Sequence, residues 1–201
     1  MALMVKMGLA LGGLVAGLVV GMAVGMAAGA APAAIEEIVV TTQKRAQAAR
    51  DVPVSLTAYD GDFLDAIGVA QFDELSLFVP GLTVQEQSPN NPGFVMRGIT
   101  SDSGSAQDAP RVSIYLNGVD VSRSRGSYFE LHDIARVETV KGPQATLFGT
   151  AAAIGAISVI TNPPTPEWSA AAQASYGNFD AARVTGFVNG GSATLAGRLA
   201  Y

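Results

Sequence analysis

"VETVKGPQATLFGTAAAIGAISVIT", residues 137–161, places Gly142, Pro143, Gly149 and Gly155 between two apolar, β-branched runs. Two uses of such glycines compete: cradling a phosphate, or shaping a packed domain. A P-loop needs glycine, four residues, then glycine, lysine and a hydroxyl residue, so that the lysine reaches phosphate and the hydroxyl reaches Mg²⁺. Neither Gly142 nor Gly149 has a lysine at the required place. A dinucleotide fingerprint needs its glycines within one tight turn opening a long helix, and these are spread too widely. The shape reading fits better. Gly142-Pro143 turns the chain out of a strand, "QATLFG" makes about one helical turn, and "GAISVIT" returns as a buried strand whose glycine permits close backbone approach.

Working outward, Arg136 to Val140 reads as a strand and Phe129 to Asp133 as a short turn or helix. In "VSIYLNGVDV", Asn117-Gly118 between apolar runs supplies both positive-φ residues of a type I′ hairpin. "GLTVQEQ" and "FVMRGIT" read as strands around the loop "SPNNPG". Further upstream "VPVSLTAY" alternates, and Asp60 stands where a helix N-cap would, ahead of Phe63, Leu64 and Ile67, with Gly68 as the stop. A second helix from about Ala70 to Phe78 buries Phe72, Leu75 and Phe78, and "VPG" ends it.

Downstream, Pro163, Pro164 and Pro166 mark a boundary. Beyond it residues alternate: Ala170, Ala172, Ala174 and Tyr176 share one strand face, Val184, Gly186 and Val188 another, and Ala193, Leu195, Gly197, Leu199 and Tyr201 a third. Such segments, joined by Gly177-Asn178 and Asn189-Gly190-Gly191, match the dyad of a membrane barrel. A water-soluble antiparallel sheet fits the same local pattern.

Composition narrows the function. The chain has 201 residues, 49% hydrophobic and 14% charged, with a formal net charge of -5. That supports a sizeable core in one or two domains and argues against a nucleic-acid partner, since no basic cluster stands out. With no cysteine and His132 as the only histidine, thiol nucleophiles, disulfides and two-histidine metal sites are removed. No "GxSxG" elbow accompanies the serines. No catalytic residue, metal ligand or cofactor is assigned, and the chain is read as not an enzyme.

At the N-terminus Lys6 is the sole charge before Glu36, and the apolar run from Met7 to Ala34 ends in small residues spaced for signal peptidase. A cleaved export signal is one reading; an uncleaved membrane helix, packed through the ladder Gly13, Gly17, Gly21, Gly25 and Gly29, is the other. Next comes "IEEIVVTTQKR", whose β-branched run Ile38 to Thr42 favours extended backbone. It reads either as an ordinary terminal strand or as a tether that adds a strand to a partner's sheet edge.

These pieces, in this order, resemble the TonB-dependent outer-membrane receptors. The matching stretches are "IEEIVVTTQKR" for the energy-coupling box, "VPVSLTAYDGDFLDAIG", "LSLFVPGLTV", "FVMRGI", "VSIYLNGV", "ARVETVKGPQATLFG" and "GAISVITNPP", covering Ile35 to about Pro164. The resemblance implies an α+β plug domain, a small mixed β-sheet with short helices, followed by the first antiparallel strands of a truncated 22-stranded transmembrane β-barrel. It divides the chain into a signal peptide (1–33), TonB box and linker (34–50), plug (51–165) and start of the barrel (166–201). It further implies TonB-energised uptake of a scarce ligand, most often a ferric siderophore, in the cell outer membrane.

The residue roles come from the same resemblance. Ile35, Glu36, Glu37, Ile38, Val39, Val40 and Thr41 align with the box that pairs as a strand with the periplasmic domain of TonB. Arg97, in "MRG", and Lys141, in "VKGP", stand where such plugs place arginines facing glutamates of the barrel wall; Lys141 keeps the charge without the bidentate fork. Glu138 is an alternative partner for either, inside the plug. Asn90, Asn91, Asp102, Asp108, Arg123 and Arg125 lie in polar loops that either face the ligand or are plainly solvated. The competing functional reading is a periplasmic interaction domain that binds a partner through its N-terminal strand and has no barrel.

Overall fold

The structure, a computed structural model, describes residues 38–41, 44–86, 92–100, 110–123, 126–149 and 152–201. The segments 1–37, with the export signal or membrane helix expected there, and the loop residues Asn90, Asn91, Asp102, Asp108 and Arg125 lie outside the described residues.

Strand β1 (Val39–Val40) forms a short antiparallel pair with β2 (Gln47–Ala48), separate from the other sheets. Strand β3 (Ser55–Asp60) leads into helix α1 (Gly61–Ile67). The Asp60 carboxylate accepts from the Phe63 N–H at 2.7 Å, which satisfies one of the donors a helix start leaves open, and Gly68 ends the helix at φ 75°. Helix α2 (Phe72–Ser76) is shorter than expected. The Ser76 hydroxyl donates back to the Asp73 carbonyl at 2.6 Å and Pro80 follows, both of which work against continuation. Phe78 therefore falls beyond the helix, 39% exposed, while Phe72 and Leu75 are fully buried.

Strands β4 (Leu82–Glu86), β5 (Pro92–Met96) and β6 (Ile99–Thr100) make a meander. "FVMRGIT", expected as one strand, is thus two, because Arg97 and Gly98 at φ 52° and 81° make a tight reversal between them. Strands β7 (Val112–Leu116) and β8 (Val119–Asp120) turn at Asn117-Gly118, φ 50° and 83°, as the hairpin signal requires. Residues 127–133 contain no helix; the Leu131 N–H instead reaches the Ala70 carbonyl at 2.8 Å. Then come β9 (Ile134–Lys141), the single turn α3 (Ala145–Phe148) and β10 (Gly155–Thr161).

The central sheet has the order β3-β9-β10-β7-β8, with β10 parallel to β7 and antiparallel to β9. Register sorts its side chains into two faces. Val137, Ile157, Val159, Ile114 and Tyr59 face the helices and the β4-β5-β6 sheet. Glu138, Val140, Ala156, Ser113 and Tyr115 face the other way. At Gly155 an added Cβ would lie 2.1 Å from the Met96 sulfur, so this glycine is where β5 rests on the sheet.

The three strands β11 (Ser169–Tyr176), β12 (Ala182–Gly191) and β13 (Ala196–Ala200) form a separate antiparallel sheet. Their register joins the faces seen in sequence. Ala170, Ala172, Ala174, Tyr176, Val184, Val188 and Leu199 share one side, and Ser169, Gln173, Ser175, Arg183, Thr185, Asn189 and Arg198 share the other. An apolar, exposed face backed by a mostly polar one, which also holds Ala171 and Phe187 and meets the preceding domain, is the pattern of a barrel wall between lipid and lumen. Among the described residues no helix is long and apolar enough to cross a membrane, which leaves strands unaddressed.

Candidate functional site

The described end of the proposed box, Ile38 to Thr41, lies on the face of the central sheet that carries Glu138 and Tyr115. Val40 is fully buried and Val39 half exposed, the period of a strand with one face down. The ladder to β2 is only two pairs long, Val39 to Ala48 and Val40 to Gln47, and the Ile38 carbonyl accepts from the Ala49 N–H at 3.0 Å. Side chains complete the attachment. Glu138 Oε1 accepts from the Thr41 N–H at 2.8 Å, from its hydroxyl at 3.2 Å, and from Arg136 Nε at 2.8 Å. Arg136 Nη2 donates in turn to Thr41 Oγ1 at 3.1 Å. Arg136 and Glu138 are two residues apart on one strand and so share a face, which pins the carboxylate where Thr41 meets it.

Beside this clasp Lys44 places its ammonium 5.3 Å from the Tyr115 ring centre and 4.9 Å from that of Phe148. The Tyr115 hydroxyl donates to the Phe148 carbonyl at 2.5 Å. Burial, and then the charge of Asp120, push its phenol up, so it stays a donor. Helix α3 is thereby tied to the sheet.

Glu138 is partner to neither Arg97 nor Lys141. Lys141 stands three residues along β9 and points to the opposite face, where Nζ donates to Thr57 Oγ1 at 2.9 Å and to the Pro80 carbonyl at 3.1 Å. Arg97, exposed in its turn, approaches the same corner: its Nη1 lies 3.6 Å from where a Cβ on Gly142 would be. Burial, and then the Arg97 charge, lower the Lys141 pKa. Two like charges therefore converge, and among the described residues neither meets a carboxylate.

Ile35, Glu36, Glu37, Asn90, Asn91, Asp102, Asp108 and Arg125 lie outside the described residues; Arg123 is exposed in a turn closed by the Gly126 N–H on its carbonyl at 2.8 Å. Among the described residues no group of three or more histidine, cysteine or acidic side chains could hold a metal. Sequence reasoning missed the clasp partner Arg136 and the contacts between the domain and its outer strands. A guanidinium two residues before a glutamate in a buried strand was the available signal for the first.

Those contacts are extensive. Asn189 of β12 binds the proline-rich connection, with Nδ2 donating to Thr165 Oγ1 at 2.8 Å and to the Glu167 carbonyl at 2.7 Å, and Oδ1 accepting from the Thr165 N–H at 3.0 Å. Arg198 of β13 forks onto Asp133, and Arg183 of β12 reaches Glu130 at 2.6 Å.

Residues 48–156 match the family model described as TonB-dependent Receptor Plug Domain. The pesticin receptor of Yersinia pestis is 35% identical over 132 residues, which is 63% of this chain and 19% of that protein. An iron-regulated outer membrane virulence protein of Vibrio cholerae is 27% identical over 146 residues, 70% of this chain and 22% of that one. The crystal structure of the ferric yersiniabactin uptake receptor of Yersinia pestis superposes with a TM-score of 0.57 at 29% identity, covering 68% of this chain and 21% of that one. The chain thus spans about a fifth of the length of the proteins it matches.

Proposed function

Because the chain belongs to the TonB-dependent receptor family, we propose that it is the coupling and gating part of an outer-membrane receptor that takes up a scarce ligand with energy delivered through TonB. The cell outer membrane is its location. Residues Ile35 to Thr41 pair as a strand with the periplasmic domain of TonB; ligand bound at the outer loops alters the plug, the box is repositioned, and TonB's pull opens a path. A ferric siderophore is the ligand class, in keeping with the relatives named for iron regulation and ferric yersiniabactin uptake. The loops holding Asn90, Asn91, Asp102, Asp108, Arg123 and Arg125 are assigned to the ligand side.

One observation carries this reading: the box end is attached without being built in. Among the described residues its ladder is two pairs long and joins no larger sheet, and its hold on the domain is the buried Val40, the Thr41 clasp and Lys44 over two rings. A short extended segment of this kind retains the backbone groups with which to add to a partner's sheet. The converging cations Arg97 and Lys141 support a second assignment, to carboxylates of the barrel wall, since two like charges at one corner that meet no carboxylate among the described residues favour an anionic partner. The two-faced sheet β11-β12-β13 favours a barrel over a periplasmic domain without one.

The test is deletion of residues 35–41 in the whole receptor. Energised uptake of the ferric ligand is lost while its equilibrium binding to cells stays unchanged. Uptake at the undeleted rate would overturn the coupling assignment, and a library of ferric siderophores screened for binding tests the ligand class.

A further inference from the structure

The turn Glu130 to Asp133 takes no part in the box or in the Arg97 and Lys141 corner, yet three of its residues bond to the outer strands: Glu130 to Arg183, the His132 ring to the Gly186 carbonyl at 3.4 Å, and Asp133 to Arg198. Asp133 sits at φ 53°, in the left-handed region that Asp tolerates better than most residues, immediately before β9. Its two carboxylate oxygens receive the two arms of one guanidinium: Arg198 Nε at 2.6 Å on Oδ2 and Nη2 at 2.5 Å on Oδ1. Asn162 holds the carboxylate from a third side, Nδ2 to Oδ1 at 2.9 Å, while its own N–H reaches the Asp133 carbonyl at 3.0 Å. The guanidinium carbon of Arg198 lies 3.7 Å from the ring centre of Phe187 on β12.

Both side chains are nearly out of water, 13% exposed for Arg198 and 9% for Asp133. A guanidinium in that position is costly without its carboxylate, and the planar fork fixes direction as well as distance. The polarity is the reverse of that at Arg97 and Lys141: here the plug brings the acid and the wall brings the base. Burial pushes the Asp133 carboxyl up, but the bonds from Arg198 and Asn162 and the charges of Arg198 and His132 outweigh it and hold the pKa below its ordinary value. The pair is therefore ionised at neutral pH.

We propose that Asp133 and Arg198 form a latch that seats the plug against the second and third wall strands present here, β12 and β13, with Glu130 and Arg183 as its exposed outer pair. Arg198 is on the polar, plug-facing side of β13, beside Asn189 in register, and Asn189 already binds the connection between the two units. The latch fixes the start of β9, the strand that further along carries Glu138 and Lys141. Seating the chain one residue before β9 sets where both of those side chains stand.

The inference rests on the receptor reading only for the barrel, so its test uses neither TonB nor ligand. The whole receptor, purified and reconstituted in phospholipid vesicles, is assayed for leakage of a neutral oligosaccharide through the barrel. Asp133→Asn, which keeps the left-handed turn, and Arg198→Gln each raise leakage at least about tenfold, as expected when a buried pair loses one member. The double variant leaks no more than either single one, because the two act through one contact. Glu130→Gln changes leakage less than about twofold, since exposed pairs contribute little. Arg198→Lys, which keeps the charge and loses the fork, falls between wild type and Arg198→Gln. Heat-modifiable migration in detergent gels confirms that each barrel has folded, and Arg198→Lys serves where Arg198→Gln has not. Unchanged leakage in Asp133→Asn and Arg198→Lys, or effects that simply add in the double variant, would overturn the latch. Energised uptake that survives box deletion would overturn the coupling assignment and would not bear on the latch.

Discussion

The two faces of the central sheet are built from the same strands and held by different physics. On the helix side Phe72, Leu75, Ile157 and Val159 are all fully buried, with Val137, Ile114 and Leu64 nearly so. Complete burial of such a side chain contributes about 1.5–3 kcal/mol, so separating this face would expose a sum that no local rearrangement recovers. On the other side, among the described residues from 38 to 51, Val40 is the one apolar side chain fully buried. The rest of that attachment is hydrogen bonds and a cation over two rings. A hydrogen bond contributes only about 0.5–1.5 kcal/mol net, because water replaces it on separation. One sheet thus carries a permanently packed face and, across the other, a segment held mainly by polar contacts beside the small cluster of Tyr115, Phe148, Ala152 and Ala156; that second face is the separable one in respect of the segment it carries. The separable face is where the proposed box lies.

Phe72→Ala puts the largest strain on this comparison. It removes a ring packed edge-on against Phe94 and Phe129 at 5.7 and 5.1 Å, and should lower the plug's local stability by about 3–5 kcal/mol. Hydrogen exchange in the whole receptor would show lost protection throughout β9 and β10. A loss under about 1 kcal/mol would mean that the helix face is not the permanent one.

Glu138→Gln addresses the separable face. The side chain keeps its size but loses the charge that Arg136 and Thr41 share, and the expected loss is about 1–3 kcal/mol, confined to residues 38–48. A spin label at the half-exposed Val39 should gain mobility while β9 and β10 amides keep their protection. Equal loss in both places would place Glu138 in the core and dissolve the distinction.

Local chemistry told most of this architecture in advance, and long-range pairing did not. The Asp60 cap and the Asn117-Gly118 hairpin are decided within a few residues of chain, so their side chains announce them, and the glycine at 155 announces a close approach without naming Met96 as what approaches. The reversal at Arg97-Gly98 was hidden, because arginine at positive φ is uncommon and the apolar run reads straight through it. Phe78 fits the helical period but lies past a helix that its own Ser76 helps to end. The partner of Glu138 depended on which face each β9 residue takes, and alternation alone would have excluded Lys141 in favour of Arg136. Asp133 and Arg198, 65 residues apart, meet only because two separate sheets are brought together. The identity of the box and the corner of Arg97 and Lys141 came from family resemblance; the physics of the residues adds what holds each one.

The smallest expected effect is at Lys44, which bears on whether the separable face has any apolar component besides Val40. The Lys44 ammonium lies over both the Tyr115 and Phe148 rings. An ammonium over rings at a partly exposed site contributes about 0.5–1 kcal/mol. Lys44→Gln should therefore raise exchange at the β1 and β2 amides by roughly two- to fivefold and leave α1 and α2 untouched. Salt sharpens the reading: Coulomb attraction between exposed ions fades with ionic strength, whereas an ammonium seated on a ring is less screened. If wild-type protection of β1 falls to the Lys44→Gln level in high salt, the lysine acts as a solvated charge and the aromatic seat is decorative. If the difference between wild type and variant persists, Lys44 belongs with Val40 as the second hold on the box.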